Sequence, residues 1–355
     1  MPDAAKSDPA CVFHETRPVS PDSGTGVWYV HGGMSSPAVS VVIPSFNHGR
    51  FIARAVDSVL ASSFTDLELV IVDDGSTDDT LQVLRPYRSH PQVKVRTQEN
   101  RGAHAALNLG LSLARGELLF VLNSDDAFHP DRVPRLVERF QEDPGVVLAA
   151  SWIEIMDADD GVLGIKRGPL NLPPWPPPSA GPFLSALGVL ELALLETNFI
   201  STTSNVAFRR SLLDEAGLDF LPLRYTHDWE FILAACRHGR LALVEESLVR
   251  YRVHGTNTIR EGAAQAAGEM RFEVMWTVCR HAAALCAEAA ARGRDADDLA
   301  RRLWRSLPRF GCEALLDELL ALRGLDPAPP PAYDALLQAG HPFRRAAVAA
   351  LGAMP

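Results

Sequence analysis

The chain has 355 residues, of which 47% are hydrophobic, enough for a large core in one or two domains. Its formal net charge of −10 argues against broad contact with nucleic acid or with an anionic membrane, because affinity for phosphate groups needs clustered Lys and Arg. The five cysteines form no Cys-x-x-Cys pair and indicate neither a disulfide framework nor a zinc site. We therefore expect a cytoplasmic protein without a secretory signal, and peripheral contact with the inner face of a membrane stays open.

From Val39 onward, short apolar runs alternate with segments of helical periodicity. Strands are predicted at 39–43, 67–72, 93–95 and 118–122, and helices at 51–61, 80–87, 103–114 and from about 130. This alternation predicts βαβ units and hence an α/β fold with a Rossmann-like, mostly parallel sheet flanked by helices. Further apolar runs follow at 146–150 and 152–156, and a Pro-rich segment at 172–178 leads into a predicted helix at 183–196.

Composition divides the chain into three parts. Residues 1–36 are polar and rich in Pro, Gly and Ser, which predicts a tail. Residues 37–260 contain the alternating pattern and form the main predicted domain. Residues 261–355 carry Ala, Leu and Arg at helical spacing and predict a C-terminal helical appendage that nucleotide binding does not need. Such amphipathic helices suit an acceptor, a second copy of the chain or a membrane surface equally well.

Polar side chains follow three of the predicted strands, at the point where each strand ends. These segments are Pro44–Asn47, Asp73–Ser76 and Asn123–Asp126. The carboxyl ends of parallel strands share one edge of a sheet, so the segments should converge there. Asp125 and Asp126 could hold a divalent cation through oxygen, as a nucleotide diphosphate would require. A helix-capping role fits them poorly, because the next helix begins near residue 130.

The same segments carry a family resemblance. The runs Val-Ser-Val-Val-Ile-Pro-Ser-Phe-Asn at 39–47, Val-Asp-Asp-Gly-Ser-Thr-Asp at 72–78, Asn-Arg-Gly at 100–102 and Leu-Asn-Ser-Asp-Asp at 122–126 occur in this order. Together they resemble the family 2 glycosyltransferases of the GT-A fold, over about residues 38–255. The resemblance implies an inverting, nucleotide-sugar-dependent enzyme of the hexosyltransferase type.

The resemblance also implies which residues bind the nucleotide. They are Pro44, Phe46, Asn47, Asp74, Asn123 and Ser124. Pro44 and Phe46 would border the base, and Asp74 would accept a hydrogen bond from the imide N–H of uracil or thymine, which cytosine lacks. Asn123 stands where the family usually has Asp, so this chain departs from the pattern and places one charge fewer beside the diphosphate.

The metal ligands implied by the resemblance are Asp125, with Asp126 in support and His254 from the segment Tyr-Arg-Val-His at 251–254. The expected ion is Mn²⁺ or Mg²⁺, bridging the donor diphosphate and stabilising the charge that builds on it. For His254 a structural role is an equal alternative, because a lone His is often structural.

The segment Thr226–Glu230 resembles the part of the family that carries the catalytic base, and Asp228 matches the position of that base. Alternatively, Asp228 caps the helix that follows it, which would leave Glu230 as the substitute base. Arg101, His104 and Glu230 are also expected to approach the donor or its diphosphate, although a solvated helix start explains Arg101 and His104 nearly as well.

The sequence therefore predicts transfer of a sugar from a UDP- or dTDP-sugar to a hydroxyl acceptor, which could be a glycan, a lipid-linked glycan or a small molecule, as in polysaccharide biosynthesis. Two alternatives remain at this point. A sugar nucleotidyltransferase would need a phosphate loop rich in Gly, Arg and Lys, and the segment 44–50 offers only Gly49 and Arg50. A nucleotide-sugar-binding domain without catalysis is favoured slightly by Asn123 and disfavoured by the retained acids.

Overall fold

The computed structural model describes residues 36–168, 194–195, 197–255, 257, 264–293, 295 and 348. The predicted tail at 1–36, apart from Ser36, and the Pro-rich segment at 172–178 lie outside the described residues. Of the helix predicted at 183–196, only Leu194 and Leu195 are described, and both are helical. The predicted catalytic region is thus described over most of its length.

Nine strands occur in the described part of the chain: β1 (Val39–Ser45), β2 (Leu67–Asp73), β3 (Val93–Thr97), β4 (Leu118–Val121), β5 (Ala127–Phe128), β6 (Val146–Met156), β7 (Val162–Lys166), β8 (Ala207–Arg209) and β9 (Arg240–Arg252). The α-helices between and after them are α1 (Ile52–Leu60), α2 (Thr80–Leu84), α3 (Ala103–Leu113), α4 (Arg132–Glu142), α5 (Ser211–Asp214), α6 (His227–Ala235) and α7 (Ala264–Ala291). Short 3₁₀ helices lie at Pro86–Ser89 and Thr203–Asn205. Within these described segments, no helix combines the length and the apolar character that crossing a bilayer requires.

All the strands form one sheet in the order β3-β2-β1-β4-β8-β6-β9-β5, with β7 paired to the second half of β6. Strands β1 to β4 are parallel to one another. Because β8 lies antiparallel between β4 and β6, both β6 and β9 return to the direction of the first four strands. Only the short strands β5, β7 and β8 of the described sheet run the other way. The predicted α/β fold with a mostly parallel sheet is confirmed.

The parallel half of the sheet is buried on both faces. Strands β1 and β2 are buried along all seven of their residues, which explains why their sequences read as continuous apolar runs. Val42 faces α3, whereas Val41 and Ile43 belong to the cluster that includes α1. Helix α3 lies directly on the sheet at Gly110, where an added Cβ would come within 2.4 Å of Val42 Cγ1. A larger residue at 110 would push this helix off the sheet.

Two element boundaries differ from the sequence prediction. The helix predicted at 80–87 ends at Leu84 and continues as a 3₁₀ turn, because Pro86 has no amide hydrogen for the next helical bond. The two apolar runs predicted at 146–150 and 152–156 form one continuous strand, β6. Register shifts between β6 and β9 around Ser151 and Trp152 account for the irregular apolar pattern there.

Helix α7 packs against the body through a buried face. Its side chains that are less than 5% exposed include Phe272, Met275, Trp276, Val278, Cys279 and Ala282. Val278 and Ala282 belong to the same core cluster as Leu107 of α3 and Phe231 of α6. Composition suggested an appendage that nucleotide binding does not need. The packing instead leads us to expect that removing residues from 262 onward destabilises the body.

Phe272→Ala should lower the free energy of unfolding by about 3–5 kcal/mol, because it deletes a ring with no exposed surface and leaves a cavity. Denaturant unfolding followed by circular dichroism measures this change. Phe46→Ala is the matched control, because Phe46 is 42% exposed, and it should change the unfolding free energy by less than about 1 kcal/mol. Equal effects of the two substitutions would show that α7 is not part of the core.

Candidate active site

The loops that follow β1, β2 and β4 meet at one edge of the sheet. Parallel pairing places Ser45, at the end of β1, opposite Asp73, at the end of β2. On the other side of β1, Leu122 N donates a hydrogen bond to Val42 O, which brings the segment Asn123–Asp126 to the same edge. This is the carboxyl edge, where ligands bind in open α/β sheets.

Three side chains with metal-binding atoms cluster at this edge: His48, Asp125 and His254. Their ligand atoms all lie within 4.8 Å of one another. His254 Nε2 lies 3.0 Å from Asp125 Oδ2, and the rings of His48 and His254 meet edge to face with centroids 5.9 Å apart. The sequence analysis named Asp125 and His254 but missed His48. The only signal for His48 was its place in the loop directly after β1.

The end of β9 holds the Asp125 loop in place. Arg252 is 1% exposed, and its Nε donates to Asp125 O at 2.8 Å. Its backbone N donates to Asp126 Oδ1 at 2.8 Å, and its Nη1 pairs with Asp160 Oδ1 at 2.6 Å. The guanidinium also lies over the ring of Phe51, 5.1 Å from the centroid. A buried charge with this many partners has one stable position, so Arg252 fixes the loop.

The adjacent acids Asp125 and Asp126 differ in environment. Burial alone would raise the pKa of Asp125, but the hydrogen bond from His254 and the charges of His48 and His254 outweigh it and hold that pKa below its usual value. Burial, and then the charge of Asp125, raise the pKa of Asp126 well above its usual value. Asp126 is 1% exposed, and both its oxygens accept bonds from the protein, one of them from Ser204 Oγ at 2.5 Å. The geometry thus makes Asp126 a loop anchor, in contrast to the expectation of a supporting metal ligand.

Asn123 and Ser124 are tied to neighbouring segments. The side-chain amide of Asn123 donates to Thr202 Oγ1 at 3.1 Å, and its backbone N donates to Ser204 Oγ at 2.9 Å. Ser124 Oγ lies 2.7 Å from His48 Nδ1. An amide, unlike a carboxylate, can donate to the Thr202 hydroxyl, so Asn123 joins β4 to the segment before β8. Ser124 orients an imidazole of the cluster.

A cavity of about 360 Å³ opens beside this edge, within the usual size of a small-molecule site. Asp125 lines it from the sheet edge and Asp228 lines it from α6. Lys166 of β7 and Met270 of α7 complete the walls on other sides. The predicted metal ligand and the predicted base therefore face one common space.

Asp228 lies in the first turn of α6 and is 6% exposed. Its Oδ1 accepts from Trp229 N at 2.7 Å, and Asn198 Nδ2 approaches its Oδ2 at 3.4 Å. Asn198 Oδ1 accepts in turn from Ser201 N at 2.9 Å, and Lys166 Nζ donates to Ser201 Oγ. A chain of polar contacts thus runs along the cavity wall and ends at Asp228.

Lys166 was missed by the sequence analysis, because its surroundings at 157–200 carry no recognisable motif. Burial lowers the pKa of Lys166 to about 8, although the charge of Asp228 acts in the opposite direction. The ammonium group is therefore mostly charged at neutral pH and loses its charge just above it. A positive charge here balances Asp228 and attracts an anionic ligand.

Asp74 is 3% exposed and binds the loop that follows β3. Its carboxylate accepts from Arg101 N at 2.9 Å, from Gly102 N at 2.8 Å and from Gln98 Nε2 at 2.6 Å. Gly102 has φ +91°, a conformation that glycine adopts without strain. Asp74 is not among the residues that line the 360 Å³ cavity. It lies at the β2 end of the same sheet edge.

The remaining predicted nucleotide contacts lie after β1. Pro44 is buried within the strand, whereas Phe46 is 42% exposed. Asn47 has φ +53°, and its Oδ1 accepts from Thr77 N at 2.8 Å while its own N donates to Ser76 Oγ at 2.8 Å. Asn47 therefore joins the loops after β1 and β2. Phe46 offers an exposed aromatic surface beside them.

The other predicted contacts, Arg101, His104 and Glu230, differ in position. Arg101 is exposed and is anchored through its backbone. Burial, followed by the charge of His227 in the cavity wall, lowers the pKa of His104. Glu230 is 2% exposed, pairs with Arg280 of α7 and does not line the cavity. Glu230 thus points away from the space that Asp228 faces.

Known proteins share this sequence pattern. The family profile described as Glycosyl transferase family 2 matches residues 40–216. An uncharacterized glycosyltransferase of Nostoc sp. is 32% identical over 237 residues, which cover 65% of this chain and 69% of that relative. Chondroitin synthase of Escherichia coli is 44% identical over 108 residues, covering 30% of this chain but only 16% of the synthase.

Solved structures share the fold. The crystal structure of S. aureus TarS 1–349 in complex with UDP-GlcNAc aligns with a TM-score of 0.53 at 20% identity, covering 69% of this chain and 66% of that one. At this identity the similarity concerns the fold alone. The expectation from the strand-end motifs is confirmed, and the nucleotidyltransferase and the non-catalytic binding domain are set aside. The chain belongs to the family 2 glycosyltransferases and is a transferase with the GT-A fold.

Proposed function

We propose that this protein is an inverting glycosyltransferase that moves a sugar from a UDP- or dTDP-sugar to a hydroxyl group, with the help of a divalent cation. The observation that supports this best is that Asp125 and Asp228 line one cavity. The Asp125 carboxylate belongs to the candidate cation site, and the Asp228 carboxylate is separate from it. Handling of the departing diphosphate and activation of the acceptor can therefore take place on different walls of one site.

Asp228 is the proposed general base. The Trp229 amide and the Asn198 side chain orient its carboxylate, which takes the proton of the acceptor hydroxyl. As that oxygen forms its bond to the anomeric carbon, the bond from this carbon to the diphosphate oxygen breaks. A single displacement of this kind inverts the configuration, so an α-linked donor gives a β-linked product. Glu230 is held by Arg280 and does not compete for this role.

The donor atoms of the cluster fit Mn²⁺ better than Mg²⁺. Imidazole nitrogen together with carboxylate oxygen suits first-row transition metals, whereas Mg²⁺ prefers oxygen ligands throughout. His48, Asp125 and His254 would hold the ion, which would supply positive charge against the departing diphosphate. The ionised state of Asp125, maintained by the two histidines, suits a ligand of a cation.

The nucleoside is proposed to lie against the loops after β1 and β2, with the exposed ring of Phe46 available for stacking on the base. A carboxylate has about four acceptor positions, and three donors of the protein already bond to Asp74. One position remains for the imide N–H of uracil or thymine. The similarity to chondroitin synthase over 108 residues supports a glycan as acceptor and polysaccharide biosynthesis as the setting.

Asp125→Ala should abolish metal-dependent binding of UDP. Loss of an outer partner of a metal site typically weakens metal binding about 10–100-fold, so loss of a direct ligand should weaken it by at least about 100-fold. Isothermal titration of UDP with and without Mn²⁺ measures the effect. Asp131→Ala, which removes an exposed acid at the start of α4, should leave the affinity unchanged. Unchanged UDP affinity of the Asp125 variant in Mn²⁺ would exclude this cation site.

Asp228→Asn should cut turnover by ~100-fold or more while leaving UDP affinity nearly intact, because the amide cannot take a proton. Turnover is measured as UDP release from the UDP-sugar that the wild-type protein uses fastest. Asp214→Asn, at an exposed position of α5, is the matched control and should be fully active. Undiminished turnover of the Asp228 variant would remove this residue from the mechanism.

The pKa of Lys166 predicts a loss of kcat/KM as the pH rises through about 8, because deprotonation removes a positive charge that favours the anionic donor. Lys166→Arg keeps its charge at higher pH and should move this decline upward. A pH profile of UDP release between about pH 6 and 10 tests this. Lys94→Arg, at the Glu68 ion pair, is the matched control and should leave the profile unchanged. An unshifted pH profile of Lys166→Arg would contradict the assignment of the decline in kcat/KM to loss of the Lys166 charge.

A further inference from the structure

Helix α7 places a buried carboxylate against the loop that leads into α6. Glu273 has no exposed surface. Its Oε1 accepts from Arg224 N at 2.9 Å, and its Oε2 accepts from Tyr225 N at 2.7 Å and from Thr226 N at 3.3 Å. One side chain thus binds three successive backbone amides. These amides end immediately before the first residue of α6.

Glu273 is the first member of a buried polar row on α7. Thr277 and His281 follow at intervals of four residues, so all three side chains share one face of the helix. Thr277 Oγ1 lies 3.0 Å from Thr226 Oγ1, and His281 Nε2 lies 3.4 Å from Glu230 Oε1. The row therefore follows α6 from its preceding loop into its first turns. Asp228 lies between Thr226 and Glu230, the two positions that Thr277 and His281 contact.

Close packing of two helices does not require such a row. Apolar side chains would join α6 and α7 without the cost of burying a carboxylate, which is tolerated only when donors satisfy it. Here the carboxylate accepts hydrogen bonds from three successive backbone amides, which satisfy its charge. Its negative charge also lies at the N-terminal end of α6, where the helix dipole favours it. The arrangement thus specifies one position for the start of α6.

The segment that Glu273 holds belongs to the wall of the cavity. All three residues of the segment 224–226 line it, and so does Asp228 two residues later. Met270 and Val274, on either side of Glu273 in α7, line it as well. A small displacement of this loop would change the position of Asp228 relative to any molecule in the cavity.

We propose that Glu273 is a positioning residue for sugar transfer, holding the segment 224–226 so that the first turn of α6 presents Asp228 to the acceptor. The proposal rests on the proposed role of Asp228 as the base. Glu273 acts through the backbone and touches no reacting atom. The C-terminal helix α7 thereby takes part in catalysis as well as in the core.

The test uses Glu273→Gln in the full chain, because an amide keeps the size of the side chain but turns a donor group toward the backbone amides. Turnover should fall about 10–100-fold, as expected for a small misplacement of a reacting group. The Kd of UDP in Mn²⁺ should change by less than about 3-fold, because the cation site is unaltered. Hydrogen–deuterium exchange of the peptide 224–230 should accelerate by about 10-fold or more.

Glu288→Gln is the matched control, because it breaks an ion pair between α7 and Arg237, at the opposite end of α6. It should leave both turnover and the exchange of the peptide 224–230 unchanged. Unchanged exchange or full turnover in the Glu273 variant overturns the proposal. Equal losses of UDP affinity and turnover also overturn it, because they indicate general unfolding.

The double variant Asp228→Asn, Glu273→Gln separates this proposal from the proposed function. If Glu273 acts through Asp228, the second substitution should lower turnover by less than about 3-fold beyond Asp228→Asn alone. If the turnover loss of the double variant equals the product of the two single losses, Glu273 has a role independent of Asp228, and the proposal is overturned. Full turnover of the single variant Asp228→Asn would refute both the assignment of Asp228 as the base and the positioning role of Glu273. A slow Asp228 variant beside a fully active Glu273 variant removes Glu273 only.

Discussion

The tie between the end of β9 and the loop after β4 is the constraint on which the site depends. Arg252 binds the backbone of Asp125 and the carboxylate of Asp126, and His254, two residues further on, reaches the Asp125 side chain. Parallel pairing of β9 with β6, up to the pair of Met156 with Arg252, carries this segment to the carboxyl edge of the sheet. Without that tie, the Asp125 loop would lose its contacts with β9, and His254 would not reach the Asp125 carboxylate.

The cavity has walls of two kinds. On one side, Asp125 of the candidate cation cluster lines it from the short loop that follows the fully buried strand β4. On the other side, α6 presents Asp228, and α7 supports α6 through the buried carboxylate of Glu273. Lys166 of β7 also lines the cavity. Such a division suits a displacement reaction, because the leaving group and the attacking group need independent positioning on opposite sides of one carbon.

The parallel half of the sheet could be predicted from the sequence because its strands are buried on both faces and their apolar runs are local. The second half of the sheet could not be predicted in this way. Strand β8 has three residues and inserts antiparallel between β4 and β6, a placement that depends on partners far away in the chain. Helix α7 carried a helical pattern, but its composition could not show that Val278 and Ala282 join the core beneath the sheet. Strand order and helix docking are decided by these long-range contacts.

The family, the parallel sheet and the segments that supply the acids could be predicted from the sequence, because apolar runs and strand-end motifs are signals carried by neighbouring residues. Which acid faces the cavity and which anchors the loop became visible in the folded chain, since Asp125 and Asp126 are adjacent and differ in the partners that each one meets. Likewise, it alone revealed His48, Lys166 and Glu273. A single histidine, lysine or glutamate has no periodic signature, and its role arises from contacts with segments that are distant in the chain.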